Sequence, residues 1–339
     1  MSVSSRSRAC GLSIESDAPI SGLRDCDFRG VPDLFVRMRG AIDRPHSGDG
    51  DAVWYLSEYT DDRGLPLLTI HRLGSRYLLS YAEGATFLVN AAGSEVDAWW
   101  NPPLTDVDAA DYLLGSVLAF VLRLRGTVPL HASAVVIDDR AVLFAGPPGA
   151  GKSSTAAAFA LLGCPVLSDD IVVIAEQGGV MMAHPSHAHL SVWPDSARAL
   201  FAAESLPQHS AIYAKHRVDL IDRGYRFHEG AAPIDTICVL SGRSAATERV
   251  VLRDVPPRAA LMALVGQTYS NYLLDGSMRG REFDLLGRVI GAVSVRELAF
   301  SDRLDDLVPS CRTLALQFEI GVGGHLKRTP STTADGCPL

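Results

Sequence analysis

Short apolar runs separated by turns dominate the first third of the chain. Between residues 31 and 100, LLTIHRL, SRYLLSYA and ATFLVNA are rich in β-branched and aromatic residues, and Gly-Ser or Glu-Gly separates them. This pattern predicts a small β-rich N-terminal domain. Residues 1–30 carry Ser, Arg, Asp and Gly without periodicity, and we expect them to be loosely ordered.

A helical pattern follows the predicted strands. Thr105 or Asp106 is a suitable N-cap, and Gly126 is a suitable end. Between them, apolar residues recur at helical spacing: Leu114, Val117, Leu118, Val121 and Leu122. We expect this helix to pack in the core and to complete an N-terminal domain over residues 31–125.

The segment LHASAVVIDDRAVLFAG predicts a β-hairpin that leads into a glycine loop. Its two apolar β-branched runs flank DDR, and the second run, Ala141 to Ala145, meets the loop directly. An Ala-rich helix is expected from Ser153 to Leu162, with Gly163 as its stop. PVL and IVVIAE are the next expected strands.

Beyond residue 180 the sequence pattern predicts both strands and helices. HLSVWPDSARALF predicts a strand entering a helix capped by Asp195 or Ser196. RVDLI, TICVLSG, ERVVLRDV and VSVRELAF are strand candidates, and residues 257–290 are mostly helical in pattern. We expect one domain over residues 126–320 and a disordered Gly-, Thr- and Pro-rich tail over 321–339.

Composition narrows the class of protein. The 339 residues are 47% apolar and 21% charged, which is typical of a soluble globular protein. A net charge of −8 argues against nucleic acid as a partner. The apolar stretch YLLGSVLAFVL is too short to cross a bilayer, so we expect no membrane partner. Six scattered cysteines and the lack of a secretion signal predict a reduced, cytoplasmic protein.

The glycine loop matches the pattern G-x-x-x-x-G-K-S/T. Backbone N–H groups of such a loop, together with the N-terminus of the following helix, bind phosphate oxygens. Lys152 is expected to reach the β- and γ-phosphates, and the Ser153 hydroxyl to ligate Mg²⁺. A plain Gly-rich turn is the alternative. The predicted nucleotide-binding residues are Gly146, Pro147, Pro148, Gly149, Ala150, Gly151, Lys152, Ser153 and Ser154.

Two adjacent aspartates, Asp169 and Asp170, follow the loop closely. One helix and one short strand separate them from it, so the chain can return to the loop. One carboxylate can hold the metal and the other can accept a proton from an incoming hydroxyl. A solvated Ser-Asp-Asp turn is the alternative, but the apolar flanks make two unpaired carboxylates costly.

Other polar residues give weaker signals. His131 lies at the start of the hairpin and is either structural or able to orient an aspartate or the phosphate. Lys215 and Arg217 can neutralise transition-state charge or can simply mark a solvated strand edge. The HPSHAH segment is expected to be surface or peptide-facing, because it lacks a full set of metal ligands.

The segments LHASAVVIDDRAVLFAGPPGAGKSS and GCPVLSDD together resemble the HPr serine kinase/phosphorylase family. The resemblance implies an α/β P-loop kinase domain of the HPr kinase or phosphoenolpyruvate carboxykinase-like type. It also implies catalytic roles for Lys152, Asp169, Asp170 and His131, with Asp170 as acid/base, His131 as its partner, and Ser153 and Asp169 at the metal. LHASAV, SDD and WPDS look more like a divergent branch that includes kinases of lasso-peptide precursors.

We therefore expect an ATP- and Mg²⁺-dependent serine kinase that acts on a peptide or small protein, with the C-terminal Ser of a lasso-peptide precursor as its acceptor. One alternative is a kinase of an HPr-type phosphocarrier protein. Another is a nucleotide-binding regulatory module without transfer. The resemblance also suggests a homo-oligomer.

Overall fold

The computed structural model describes residues 4–48, 51–201, 214–243 and 250–325 as a mixed α/β chain with several sheets. Its first sheet has eight strands in the order β1-β2-β3-β8-β7-β6-β5-β4. Pairs β2–β3 and β3–β8 are parallel, and the other pairs are antiparallel. The strands are β1 Ser5–Ala9, β2 Leu12–Ser16, β3 Leu34–Gly40, β4 Ala52–Leu56, β5 Leu68–Leu73, β6 Arg76–Tyr81, β7 Thr86–Asn90 and β8 Glu95–Trp99.

The expected loose order near the N-terminus is wrong for the described residues, because β1 and β2 are strands of this sheet. Inward positions of β1 are filled by small residues, Ser5, Ser7 and Ala9, all of them buried. Hydrogen bonds rather than apolar bulk hold the strand: Ser5 Oγ donates to Asp25, and the Cys26 amide donates to the Arg6 carbonyl at 2.7 Å.

The predicted linking helix is confirmed, but it is not regular. It consists of α1 Asp106–Tyr112, a π-helical segment Leu113–Val117 and α2 Leu118–Leu124. Thr105 is the N-cap and forms a capping box with Asp108. The break lies at Gly115, whose φ of −94° and ψ of −109° are not helical. The inner faces of these helices pack on the first sheet in one apolar core.

The second sheet carries the glycine loop. Its strands are hydrogen-bonded in the order β10-β9-β12-β13-β16-β18-β17. A further pairing of β10 with β16 closes a ring that consists of β9, β10, β16, β13 and β12. Strands β10, β16 and β18 run parallel. The strands are β9 Val128–Ile137, β10 Arg140–Ala145, β11 Val166–Ser168, β12 Ile171–Gln177, β13 Val180–His184, β16 Ala232–Arg243, β17 Val250–Asp254 and β18 Ser294–Phe300.

The predicted hairpin is confirmed as β9 and β10, which pair from Ile137↔Arg140 to Ala132↔Ala145. Asp138 and Asp139 form its two-residue turn, both with positive φ (53° and 60°), as a primed hairpin turn requires. A separate two-stranded sheet joins β14 His189–Val192 to β15 His216–Asp219.

In the part of the chain that the structure describes, five further α-helices accompany the second sheet: α3 Lys152–Leu161, α4 Pro194–Phe201, α5 Pro257–Val265, α6 Gly276–Ala292 and α7 Leu307–His325. Helix α4 begins at Pro194, so Asp195 and Ser196 lie inside it and neither is the cap that we expected. Helix α7 includes residues 321–325 of the expected disordered tail, and residues 326–339 lie outside the described residues. The domain division near residue 126 stays a prediction.

Among the described residues, none of the helices combines the length and the apolar character that a membrane span needs.

Gly93, in the turn between β7 and β8, should be much less tolerant of a side chain than Gly74. Both have φ near +60°, but a Cβ on Gly93 would lie 2.9 Å from the Val121 carbonyl oxygen, whereas one on Gly74 would meet nothing within 4 Å. We expect Gly93→Ala to lower the free energy of unfolding by about 1–3 kcal/mol more than Gly74→Ala. Urea denaturation of both variants measures this difference, and equal losses would contradict the close packing of this turn on α2.

Candidate active site

The glycine loop lies where β10 ends and α3 begins, as the sequence predicts. Gly151 caps α3 in a left-handed conformation with φ of 101°, and Gly149 has φ of 82°. Gly146 lies against β16, because a Cβ there would be 3.1 Å from Leu240 Cβ. Glycine is thus required both for the turn and for the close approach of the strands. The N–H groups at the start of α3 form a potential anion site.

Lys152 binds the carbonyls of its own loop. Its Nζ donates to Gly146 O at 2.8 Å and to Pro147 O at 3.2 Å. Burial lowers the pKa of Lys152, while the nearby carboxylates of Asp170 and Asp169 act in the opposite direction. The ammonium group therefore lies within electrostatic reach of the acidic pair.

The two serines after Lys152 have different surroundings. Ser153 lines two pockets, one that also includes Gly149 and Lys152 and one that also includes Asp169. The Ser154 hydroxyl is buried and bonded to Ser196 Oγ of α4 at 2.8 Å, so this side chain also joins two helices.

The acidic pair interrupts a strand that runs antiparallel to β9. Ser168 at the end of β11 pairs with Ala134, and Ile171 at the start of β12 pairs with His131. Between these pairs, the Ile171 amide donates to Asp169 O at 2.9 Å and closes a γ-turn around Asp170, whose φ is 69°. Such a conformation is uncommon for a non-glycine residue, although aspartate adopts it more readily than most, and strained residues of this kind often cluster at functional sites.

Asp169 points into the protein. Its Oδ1 accepts a hydrogen bond from Ser133 Oγ at 2.6 Å, and its Oδ2 accepts one from the Ser191 amide at 2.9 Å. The residue is only 1% exposed, yet it still lines a pocket together with Ser153. The sequence did not single out Ser133. It is two residues from His131, however, and alternate residues of a strand share a face.

Asp170 points toward His131. His131 Nδ1 lies 3.2 Å from Asp170 Oδ1 and 3.1 Å from the Asp170 carbonyl oxygen. Burial by itself raises the pKa of Asp170, but the hydrogen bond and charge of His131, with smaller effects of Lys215 and His187, outweigh it and lower the pKa to about 2. The carboxylate is therefore ionised across the physiological pH range.

Asp170 also belongs to the lining of two pockets. The loop pocket, about 350 Å³ in volume, is lined by Gly149, Lys152, Ser153, His131 and their neighbours. The inner pocket, about 240 Å³, is lined by Ser153, Asp169, His187, Arg217 and Tyr269, among others. Asp170, Ser153, Ser191 and Lys215 line both. A group held in one pocket can therefore meet a group held in the other beside the Asp170 carboxylate.

Lys215 and Arg217 both reach this region. The Lys215 ammonium lies 5.6 Å from the centre of the Trp193 ring and lowers the pKa values of both Asp170 and Lys152. Two histidines of HPSHAH, His187 and His189, stack with ring centres 3.6 Å apart and line the inner pocket. Within the described residues, no group of three or more His, Cys, Asp or Glu side chains could hold a metal ion by itself.

Tyr269 and Gly115 are site residues that sequence reasoning missed. The Tyr269 hydroxyl donates to Asp170 Oδ2 at 3.2 Å, and its ring meets the His131 ring edge-on at 5.2 Å. A Cβ on Gly115 would lie 3.5 Å from that hydroxyl and 4.0 Å from Asp170 Oδ2. The π-helical break thus brings the linking helix to the acidic pair, as such breaks often do at functional sites.

A buried ion pair holds the backbone of Tyr269. Arg123 of α2 is 2% exposed, and its Nε and Nη2 donate to the Tyr269 carbonyl at 3.1 and 2.8 Å. Its Nη1 lies 2.5 Å from Glu282 Oε2 of α6. One guanidinium therefore joins the linking helix, the Tyr269 segment and α6. The sequence gives no local signal for this contact, because the three segments are far apart along the chain.

Replacing Arg123 alone should destabilise the protein strongly. Arg123→Met leaves the Glu282 carboxylate buried without its partner, which costs about 3–5 kcal/mol of unfolding free energy. We expect the double variant Arg123→Met/Glu282→Leu to recover much of that loss, as measured by urea denaturation. The exposed pair of Arg288 and Glu176 is the control: Arg288→Met should cost at most about 1 kcal/mol. If the losses of unfolding free energy caused by the two substitutions simply add in the double variant, the ion pair is contradicted.

No protein-family model matches the chain, and no curated protein matches it. Among solved structures, the Hpr(Ser) kinase/phosphatase from Coxiella burnetii is similar, at 12% sequence identity and a TM-score of 0.31. The match covers 58% of this chain and 96% of that one. The proposal that follows rests on the geometry of the chain's own residues.

Proposed function

We propose that the protein is a kinase that transfers the γ-phosphoryl group of ATP to a hydroxyl group of a peptide. The observation that carries this proposal is the position of Asp170. Asp170 lines both the pocket beside the glycine loop and a second pocket, and its carboxylate is paired with His131. Binding of a nucleotide alone requires only the loop, whereas transfer to an acceptor requires a base at this junction.

Each site residue has a role in this reaction. Backbone N–H groups between Gly146 and Ser154, where only Pro147 and Pro148 have none, hold the phosphates. Lys152 exchanges its loop carbonyls for β- and γ-phosphate oxygens. Asp170 accepts the proton of the acceptor hydroxyl. His131 and Tyr269 orient its carboxylate. Lys215 lies between the pockets and stabilises charge on the phosphoryl group in transit.

The residues also fit a bound Mg²⁺. Ser153, Asp169 and Asp170 line one pocket, and Mg²⁺ prefers one or two protein oxygens together with phosphate oxygens. We assign Ser153 and Asp169 to the ion. Both Asp169 oxygens already accept hydrogen bonds, which fix the direction of the carboxylate. Such an ion would neutralise negative charge on the phosphates.

The motifs of the sequence supply the finer part of the proposal. They favour a P-loop kinase domain of the HPr kinase or phosphoenolpyruvate carboxykinase-like type, within the divergent branch whose acceptor is the C-terminal Ser of a lasso-peptide precursor. A cytoplasmic location, a homo-oligomer, and the absence of nucleic-acid and membrane partners remain predictions from composition and resemblance.

Asp170→Asn should abolish transfer and spare ATP binding. An amide keeps the size of the side chain but cannot accept the hydroxyl proton, so we expect kcat to fall by about 10²–10⁴-fold. Phosphate incorporation from labelled ATP into a peptide ending in Ser measures transfer, and calorimetry measures ATP affinity. Asp139→Asn, in the turn at the far end of the same hairpin, is the matched control and should keep wild-type transfer.

The same assay separates the alternatives. Phosphate on an HPr-type carrier protein but not on the peptide would favour the phosphocarrier kinase. Tight ATP binding without a phosphorylated product from any acceptor would favour a regulatory module and overturn transfer.

His131→Gln should shift the pH dependence of transfer toward higher pH. His131 is the main cause of the low pKa of Asp170, which would otherwise rise with burial. Activity requires ionised Asp170, so loss of the His131 hydrogen bond should raise the pKa of Asp170 and move the acidic limb of the profile to higher pH. The measurement is the pH profile of kcat/KM, with His46→Gln, outside both pockets, as control. An unchanged acidic limb contradicts this pairing.

A further inference from the structure

The loop pocket has an apolar part that phosphate binding does not need. Trp193, which is 51% exposed, and Leu304 line this pocket together with the glycine loop. Among the described residues of the lining, Trp193 is the only Phe, Tyr or Trp. Phosphates are held by backbone N–H groups and cations, so an indole beside them offers a contact of another kind. These side chains therefore indicate a ligand that has an apolar surface in addition to its phosphates.

Two hydrogen bonds fix the backbone of Trp193 relative to the phosphate loop. Two residues before it, in β14, the Ser191 amide donates to Asp169 Oδ2 at 2.9 Å. Three residues after it, Ser196 Oγ of α4 lies 2.8 Å from Ser154 Oγ of α3. The indole is thus attached between the acidic pair and the helix that begins at the loop lysine. An aromatic side chain on such a fixed backbone has only two χ angles to order, so its entropy cost on binding is low.

Lys215 leaves room for a partner on the indole. Its Nζ lies 5.6 Å from the centre of the Trp193 ring. With this ammonium in place, Trp193 still keeps half of its surface exposed. An aromatic ring has two faces, and one ammonium covers at most one of them. A flat group can therefore stack on the ring while Lys215 stays beside the phosphates.

We propose that Trp193 stacks on the base of the donor nucleotide, with Leu304 as an apolar wall of the same site, while the glycine loop holds the phosphates. This inference rests on the proposed function. The loop contacts phosphate oxygens, which are the same in a nucleotide and in a bare chain of phosphates. Stacking recognises the base through its π-face. Trp193 is therefore the residue that distinguishes a nucleotide from inorganic polyphosphate.

The test compares a non-hydrolysable ATP analogue with inorganic tripolyphosphate, which has three linked phosphates and no base. Calorimetry measures the binding of each to the full-length protein in the presence of Mg²⁺. We expect Trp193→Ala to weaken binding of the analogue by about 10-fold, because a base–aromatic stack is lost. Binding of tripolyphosphate should change by less than about 2-fold, because its contacts lie on the loop.

Two further variants are the controls. Trp193→Phe keeps an aromatic face and should restore most of the affinity for the analogue. Tyr59→Ala removes a 76% exposed aromatic side chain outside the loop pocket and should change the binding of neither ligand.

Tryptophan fluorescence reports the stack directly. The analogue should quench part of the emission of the wild-type protein, because a stacked base quenches an indole. Tripolyphosphate should not quench it, and Trp193→Phe should lose the quenching while it still binds the analogue.

The outcomes separate this inference from the proposed function. Equal weakening of both ligands in Trp193→Ala, weakening of neither, or failure of the analogue to bind overturns the base site. A loss in Trp193→Ala that appears only in the KM of the acceptor peptide assigns the indole to the peptide and also overturns it. Base-dependent binding without phosphate transfer from ATP supports the base site and counts against the kinase reaction.

Discussion

The candidate site depends on the pairing of one carboxylate with one imidazole. Asp170 occupies a strained turn between β11 and β12, and β9 supplies both the register and the side chains that stabilise it. His131 and Ser133 lie on the same face of β9, so one binds Asp170 and the other binds Asp169. The two neighbouring carboxylates consequently point in different directions and have different surroundings.

Much of this arrangement could be predicted because its signals are local. The glycine loop, the β9–β10 hairpin and the helix after Lys152 each lie within a few residues of the pattern that defines them. The residues alone left open whether His131 is structural or orients an aspartate, and the family resemblance paired it with Asp170. The register of β9 against β12 provides the physical reason for this pairing.

The rest could not be predicted because it depends on contacts between distant segments. Strand β1 lacks an apolar period, since its inward residues are small serines and an alanine. Tyr269 reaches Asp170 only because its segment pairs with the edge of β9, with its amide bonded to the Pro129 carbonyl at 2.8 Å. The sequence around Gly115 has a helical pattern, yet the helix is interrupted at this residue. The spacing of apolar residues along the sequence predicts none of these features.

The buried guanidinium of Arg123 has a consequence for biosynthesis. It joins a helix near residue 123, the carbonyl of residue 269 and a carboxylate at residue 282. A nascent chain on the ribosome cannot complete this contact until residue 282 has left the exit tunnel. The contact that holds the Tyr269 backbone is therefore completed late in translation, and a chain that ends before residue 282 lacks its carboxylate partner.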